Sequence, residues 1–119
     1  MSNYYPDKWA IVEINTPTDG KYYKILASWY GGFSGSNTWK LSSGFDGTPT
    51  CTDGVWDIPQ SSGSVYSVRE NENSYGTSML ALNVYNNWFE SLPKDTIMLL
   101  SRYDVIELLK NYVAPIPKI

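Results

Sequence analysis

The chain has 119 residues, of which 42% are hydrophobic and 18% charged, and its formal net charge is −3. This length suits one domain with its own core and is too short for two, so we expect a single domain over residues 1–119. The absence of histidine excludes Ser-His-Asp and Cys-His catalysis and any metal site with histidine ligands. A single cysteine excludes an intramolecular disulfide and fits a reducing compartment.

The basic residues are few and dispersed. Nine of them are scattered singly along the chain, so they form no stripe that would neutralise the phosphates of a nucleic acid. No apolar run reaches the length of a membrane span, and the first residues do not resemble a signal peptide. We therefore expect a soluble protein that binds neither nucleic acid nor membrane. No motif indicates a cofactor, and the oligomeric state stays open.

The first part of the chain predicts a meander of three antiparallel strands. Residues 8–14 are rich in β-branched side chains, and an Asp-Gly turn separates them from residues 21–30, whose side chains alternate with a period of two. Two consecutive glycines follow, and they suit a hairpin turn because glycine accepts positive φ. The third strand, residues 38–42, also alternates and places Trp39 and Leu41 inward.

The next part is richer in turns. Residues 44–54 are mostly turn formers, with a short bridge near Thr50 and Thr52. Short strands are predicted at residues 55–58 and 65–69. Strands of this length at intervals of about ten residues suggest a small twisted antiparallel sheet, or an open barrel, of about five strands.

The period then changes to that of a helix. Apolar side chains recur at helical spacing from Ala81 to Leu92. Thr77 or Ser78 is available as the N-cap, and Pro93 ends the helix. The apolar stripe of this helix is wide enough to cover one face of a sheet.

A second helix is predicted to begin at Ser101, because a serine followed three positions later by a carboxylate resembles a capping box. Its buried side is formed by Val105, Leu108, Leu109 and Tyr112. Residues 96–100 fit either a short buried strand or the first turns of a helix, and both alternatives stay open. The chain as a whole predicts an α+β fold, in which residues 8–69 are mostly β and residues 77–112 mostly helical.

Acidic side chains are the remaining candidates for acid–base catalysis. A glycosidase needs two carboxyl groups that flank one bond, and the candidates are Glu13, Asp57, Glu70 and Glu72. Charged side chains usually face water, so we interpret each as a surface group. Cys51 has no positively charged neighbour in the sequence, and we interpret it as a structural residue. We expect no catalytic residue and no metal site.

Aromatic residues are the main departure from ordinary composition, with five tryptophans and ten tyrosines. Most of them must fill a core of this size. Tyr30, Phe33 and Trp56 are flanked by glycine, serine and aspartate, and we expect these three to be exposed. Rings in such positions stack on sugars or anchor a protein partner.

Short motifs of glycine and aromatic residues occur at residues 29–32, 39–44, 62–66 and 75–76. Their combination resembles small uncharacterised proteins of tailed bacteriophages and marine viral metagenomes. The resemblance implies a viral origin and a location in the cytoplasm of an infected bacterium. It implies no activity, and no functional residue is carried over.

These observations favour a non-enzymatic interaction protein, a phage accessory factor that binds a host or viral protein through its glycine-rich aromatic loops. Three alternatives remain. A carbohydrate-binding module shares the aromatic-rich, weakly charged composition. A carboxylate-dependent enzyme such as a glycosidase would need converging acidic groups. An Sm-like or OB-like nucleic-acid binder fits the number of strands, but the negative net charge of the chain argues against it.

Overall fold

The computed structural model describes residues 3–18, 20–31 and 37–112, and it confirms an α+β fold. Across these residues, eight strands form two open sheets of four strands each, accompanied by two helices. In chain order the elements are β1 (Asn3–Tyr4), β2 (Lys8–Thr16), β3 (Gly20–Trp29), β4 (Thr38–Leu41), β5 (Thr50–Thr52), β6 (Val55–Pro59), β7 (Val65–Arg69), α1 (Met79–Ser91), β8 (Ile97–Leu99) and α2 (Arg102–Asn111).

One sheet, which we call the central sheet, has the strand order β4-β3-β2-β8 and is antiparallel throughout. It confirms the predicted meander of β2, β3 and β4. The alternatives for residues 96–100 are settled in favour of a strand, because β8 pairs with β2 and places Leu99 opposite Val12. The glycine-rich turn between β3 and β4 lies largely outside the described residues.

The other sheet, which we call the outer sheet, has the order β1-β7-β6-β5. β1 runs parallel to β7, and the remaining neighbours are antiparallel. The bridge predicted near Thr50 and Thr52 is the short strand β5. The division of the strands between two sheets differs from the single sheet or open barrel of about five strands that the local pattern suggests, because alternation does not specify which strands pair.

The two sheets pack face to face, and α1 covers the other side of the central sheet. Between the sheets lies a core to which α2 also contributes, formed by Trp9, Ile11, Ile25, Ala27, Trp56, Ile58, Tyr66, Val68, Val105 and Leu109. A second core lies between the central sheet and α1 and is formed by Val12, Leu26, Ala81, Tyr85 and Ile97. The central sheet is therefore buried on both faces, whereas the outer sheet has one face in solvent.

Both helices begin at the predicted serine caps. The Ser78 hydroxyl accepts a hydrogen bond from the backbone N–H of Ala81, and the Ser101 hydroxyl accepts one from Asp104. Each cap satisfies a backbone N–H that has no partner inside the helix. Neither described helix is long and apolar enough to cross a membrane.

The hydroxyl group of Tyr75 is inserted between β2 and the residue after β8. The Leu100 N–H donates to the Ile11 carbonyl across 2.9 Å, as in an ordinary antiparallel pair. The return bond is indirect, because the Ile11 N–H donates to the Tyr75 hydroxyl (3.2 Å), which donates to the Leu100 carbonyl (2.6 Å). The Tyr75 ring packs edge-on against Trp9, with 4.9 Å between the ring centroids.

Candidate functional site

The site begins at the segment that joins β1 to β2. The Trp29 indole N–H donates to the Tyr5 carbonyl (3.1 Å), and the Asp7 carboxylate accepts the backbone N–H of Tyr30 (2.8 Å). These bonds hold the segment against the end of β3, so its backbone is fixed without the Tyr5 side chain. That side chain is 66% exposed, and the Tyr30 side chain is 47% exposed.

A stack of aromatic rings supports this segment from beneath. Tyr4 points to the opposite face from Tyr5, as neighbours in an extended chain do. Its ring stacks on Tyr66 at 4.8 Å and packs against Trp29 at 6.2 Å, and the Lys40 ammonium donates to its hydroxyl at 3.1 Å. Burial raises the pKa of Tyr66 to about 12. The stack anchors β1 to β7.

A groove of about 280 Å³ runs from this segment onto the solvent face of the outer sheet. We call it the tyrosine groove, and it is lined by Tyr5, Pro6, Asp7, Val55, Ser67 and Arg69. The Ser67 hydroxyl donates to the Asp57 carboxylate at 2.6 Å, and the Trp9 indole N–H donates to the Arg69 carbonyl at 2.7 Å. Side chains from the segment thus form one wall, and β6 and β7 form the floor.

A second cleft, of about 470 Å³, adjoins the groove because Val55 and Arg69 line both. We call it the arginine cleft, and its other lining residues are Asp53, Gly54, Glu70, Asn71 and Arg102. Part of its wall is the turn between β5 and β6, where Asp53 and Gly54 have φ values of 52° and 76°. Positive φ at both positions is the pattern of a tight two-residue hairpin, for which Asp-Gly is a favoured pair.

Neither arginine of the cleft has an acidic partner within residues 3–18, 20–31 and 37–112. Within the described ranges one ion pair occurs, between Lys21 and Glu13 of the central sheet. The Arg102 guanidinium instead donates to the carbonyl of Glu70 at 2.9 Å. The Glu70 carboxylate accepts the indole N–H of Trp56 (3.2 Å), which lies on the core side of the outer sheet. Asp53 and Glu70 also line this cleft, but neither arginine forms an ion pair with a carboxylate of the described residues.

The three residues predicted to bind a partner have different outcomes. Tyr30 is exposed and its backbone N–H donates to Asp7 of the tyrosine groove, whereas Phe33 lies outside the described residues. The expected exposure of Trp56 is wrong, because its side chain is only 6% exposed. Alternation along β6 places Trp56 on the same inner face as Ile58, in the core between the sheets. Its ring has no free face on which a ligand could stack.

The candidate carboxylates do not converge. Glu13 belongs to the central sheet, where it pairs with Lys21 at 3.2 Å and accepts a hydrogen bond from Tyr23. This interaction and burial raise the pKa of Tyr23, burial being the larger cause. In the outer sheet, Asp57 bonds to Ser67 on the solvent face, whereas Glu70 bonds to Trp56 on the core side. Glu72 is exposed in the following loop.

Three residues of the site were missed by sequence reasoning. The alternation of residues 65–69 contains a usable signal for Arg69, because it sets Arg69 on the face opposite to Tyr66 and Val68. Tyr5 precedes a proline outside any predicted strand, and exposure is an ordinary consequence of such a position. No sequence pattern indicates that Arg102 belongs to the site, because its position in the same cleft as Arg69 depends on how α2 packs.

The arrangement is suited to binding. Tyrosine rings offer apolar area with a polar tip, and guanidinium groups donate several hydrogen bonds in one plane. No group of three or more acidic or cysteine side chains that could hold a metal occurs in residues 3–18, 20–31 and 37–112. The exposed thiol of Cys51 donates a hydrogen bond to the Glu70 carboxylate at 3.8 Å.

No protein-family model, curated protein or solved structure matches this chain. The resemblance to phage and viral metagenome proteins therefore gains no support from these comparisons.

Proposed function

We propose that the chain is a non-enzymatic interaction protein that binds a protein partner through the tyrosine groove and the arginine cleft. One observation carries the proposal: the exposed residues Tyr5 and Arg69 line one groove on the solvent face of the outer sheet, and Asp7 of the same groove accepts the backbone N–H of the exposed Tyr30. Tyrosine and arginine are enriched among the residues that dominate binding energy at protein interfaces.

The rigid backing of the groove favours tight binding. Hydrogen bonds to Trp29 and Asp7 hold the chain on either side of Tyr5 and Tyr30, so little backbone freedom is lost when a partner binds. Truncation of a central interface tyrosine typically costs about 2 kcal/mol or more. For each tyrosine this corresponds to a loss of affinity of about 30-fold.

The proposal is tested by affinity capture from a bacterial lysate with the tagged full chain. The test variant is Tyr5→Ala/Tyr30→Ala. The matched control is Tyr22→Ala, because Tyr22 is 46% exposed, almost the same as Tyr30, but lies towards the other end of β3. At about 3.3 Å per residue, the two positions on β3 are about 26 Å apart. Circular dichroism checks that all variants are folded.

We expect the wild type and Tyr22→Ala to retain the same protein in stoichiometric amount, and the double variant to retain at least tenfold less. A protein retained equally by all three chains would contradict the assignment of the surface. An eluate without protein from the wild type would contradict a protein partner in that lysate.

A carbohydrate ligand is the second candidate function. The exposed Tyr5 ring stands beside the polar groups of Ser67 and Arg69, a combination of stacking surface and hydrogen-bonding groups that also suits a sugar. A glycan panel followed by tryptophan fluorescence separates the two functions. Saturable quenching by a sugar that is lost in Tyr5→Ala would favour the carbohydrate.

The origin and location that we propose with this function are those of the resemblance, a viral protein acting in the cytoplasm of an infected bacterium. The partner is then a host or viral protein. An exposed free thiol at Cys51 is consistent with a reducing compartment. Capture from infected and uninfected cells distinguishes a viral partner from a host partner.

A further inference from the structure

We infer that the arginine cleft binds a carboxylate group of the partner, supplied by an acidic side chain or by a C-terminal carboxylate. The inference deepens the proposed function, on which it rests, because it names the chemistry that the partner presents beside the tyrosine groove. The whole sequence contains two arginines, Arg69 and Arg102, and both line this cleft. They are separated by 33 positions in the chain and meet only in the folded structure.

The choice of arginine over lysine points to a specific ligand geometry. The sequence also contains seven lysines, and none of the six that fall within the described residues lines the cleft. A guanidinium group presents parallel N–H donors whose spacing matches the two oxygens of a carboxylate, whereas an ammonium group acts as a point charge. Two guanidinium groups in one cleft are therefore suited to a planar oxyanion.

Both groups are available for such a ligand. Neither guanidinium has a carboxylate partner within salt-bridge distance among the described residues. The hydrogen bond from Arg102 to the Glu70 carbonyl uses one of its donors and orients the rest. Arg69 is held through its backbone, by its pairing with Val55 of β6 and by the Trp9 indole, and its side chain is exposed.

The charge of the cleft favours a carboxylate over a phosphate. Asp53 and Glu70 also line it, so the two positive charges are matched by two negative ones. These two carboxylates repel a ligand with a single negative charge only weakly. A phosphoryl group carries about −1.5 to −2 at neutral pH and would be repelled more strongly by the two carboxylates.

The arginine cleft and the tyrosine groove form one continuous surface. Arg69 and Val55 line the cleft and the tyrosine groove alike. A partner whose carboxylate lies between the arginines therefore continues directly over Val55 towards Tyr5. Aromatic contact and charge recognition are then made by one extended segment of the partner.

The inference is tested by NMR on the ¹⁵N-labelled full chain, in which the two arginines produce only two side-chain Nε–H signals. The probes are four blocked peptides and a salt. Ac-Gly-Glu-Gly-NH₂ supplies a side-chain carboxylate and Ac-Gly-Gly-OH a terminal one, with Ac-Gly-Gln-Gly-NH₂ and Ac-Gly-Gly-NH₂ as neutral counterparts. Inorganic phosphate is the fifth probe.

We expect saturable shifts of both Nε–H signals with one carboxylate peptide, at least tenfold tighter than with its neutral counterpart. Which carboxylate peptide binds more tightly identifies the source of the group. Arg69→Lys and Arg102→Lys, followed through the amides of Gly54 and Asn71, should each weaken binding at least fivefold. Lys110→Gln, an exposed cation at the far end of α2, should leave binding unchanged.

Equal binding of the neutral peptides, tighter binding of phosphate, or full binding by both lysine variants would overturn the inference. The outcome is independent of the lysate experiment. If the peptides bind but Tyr5→Ala/Tyr30→Ala retains the partner fully, the proposed surface is wrong and the carboxylate site stands. If capture depends on the tyrosines but no carboxylate peptide binds, only the inference on the cleft fails.

Discussion

Replacing Tyr75 by phenylalanine removes one oxygen atom from the ladder between β2 and β8. The ring remains, so the edge-on contact with Trp9 is kept. The Ile11 N–H and the Leu100 carbonyl each lose the partner that the hydroxyl provides. Both bonds are partly buried, and Ile11 itself is fully buried. Tyr75→Phe thus measures the hydroxyl separately from the packing of the ring.

A buried polar group left without a partner costs about 1–3 kcal/mol. Two such groups in a partly buried position are expected to lower the free energy of unfolding by about 3 kcal/mol. Domains of this size are stable by about 5–15 kcal/mol, so the variant should stay folded at room temperature. Its Tm should fall by about 10 °C, because 1 kcal/mol corresponds to about 4 °C at this chain length.

The assay is urea unfolding followed by circular dichroism, with the free energy extrapolated to water. Tyr103→Phe is the control, because Tyr103 is exposed on α2 and its hydroxyl removal should change the free energy of unfolding by less than about 0.5 kcal/mol. A decrease of less than about 1 kcal/mol in the free energy of unfolding of Tyr75→Phe would refute the reasoning, because the pairing of β2 with β8 would then not depend on the hydroxyl.

The other predictions concern buried hydroxyl groups and alkaline pH. In Tyr66→Phe we expect about 1 kcal/mol of added stability, because the Tyr66 hydroxyl is buried and has no hydrogen-bond partner among the described residues. A clear decrease in the free energy of unfolding, measured with urea, would show that the Tyr66 hydroxyl forms a hydrogen bond. Burial also raises the pKa of Tyr66 and Tyr75 from 10.0 to about 12. The folded state thus favours the protonated phenols. Their contribution to the free energy of unfolding is complete below pH 10 and should be lost as the pH rises to 12. For Tyr75 the loss of stability is about 3 kcal/mol, since one pKa unit corresponds to about 1.4 kcal/mol. Urea midpoints that stay constant from pH 10 to 12, or that fall equally in Tyr75→Phe, would contradict this.

Local patterns were sufficient for the elements whose signals are short in range. The β2–β3–β4 meander follows from alternation and from turns that join neighbours in sequence. The caps at Ser78 and Ser101 follow from a serine at the right distance from an apolar helix. The caps join residues three positions apart, and each pairing of the meander joins strands that are neighbours in the chain.

The remaining strands depend on distant partners. β1 has two residues and pairs in parallel with β7, so that Asn3 lies opposite Val65. β8 has three residues, too few to show a period. Alternation in β3 indicates that neighbouring side chains face opposite ways, but it does not show that both faces are covered. The apolar stripe of α1 predicts that this helix covers one face of a sheet, but only the tertiary structure identifies which face.

The same limit applies to the site. Tyr30 was found because it follows a strand end next to glycine, which is a local signal. Trp56 was misassigned because its polar neighbours were given more weight than the alternation that pairs it with Ile58 on the inner face. Arg69 and Arg102 were interpreted as isolated basic residues, since nothing in the intervening chain indicates that α2 returns to the end of β7.

The walls of the tyrosine groove belong to different sheets. The segment with Tyr5 is bonded to β3 of the central sheet, whereas Arg69 and Ser67 belong to the outer sheet. Because this segment leads from β1 of the outer sheet to β2 of the central sheet, the shape of the groove depends in part on the spacing of the two sheets, which close-packed side chains such as Ala27 and Ile58 set. If the proposed partner binds in the groove, enlarging Ala27 would alter its affinity without contacting it, and the bound partner would in turn resist separation of the sheets. Selection for affinity would then act partly on the interior of the protein.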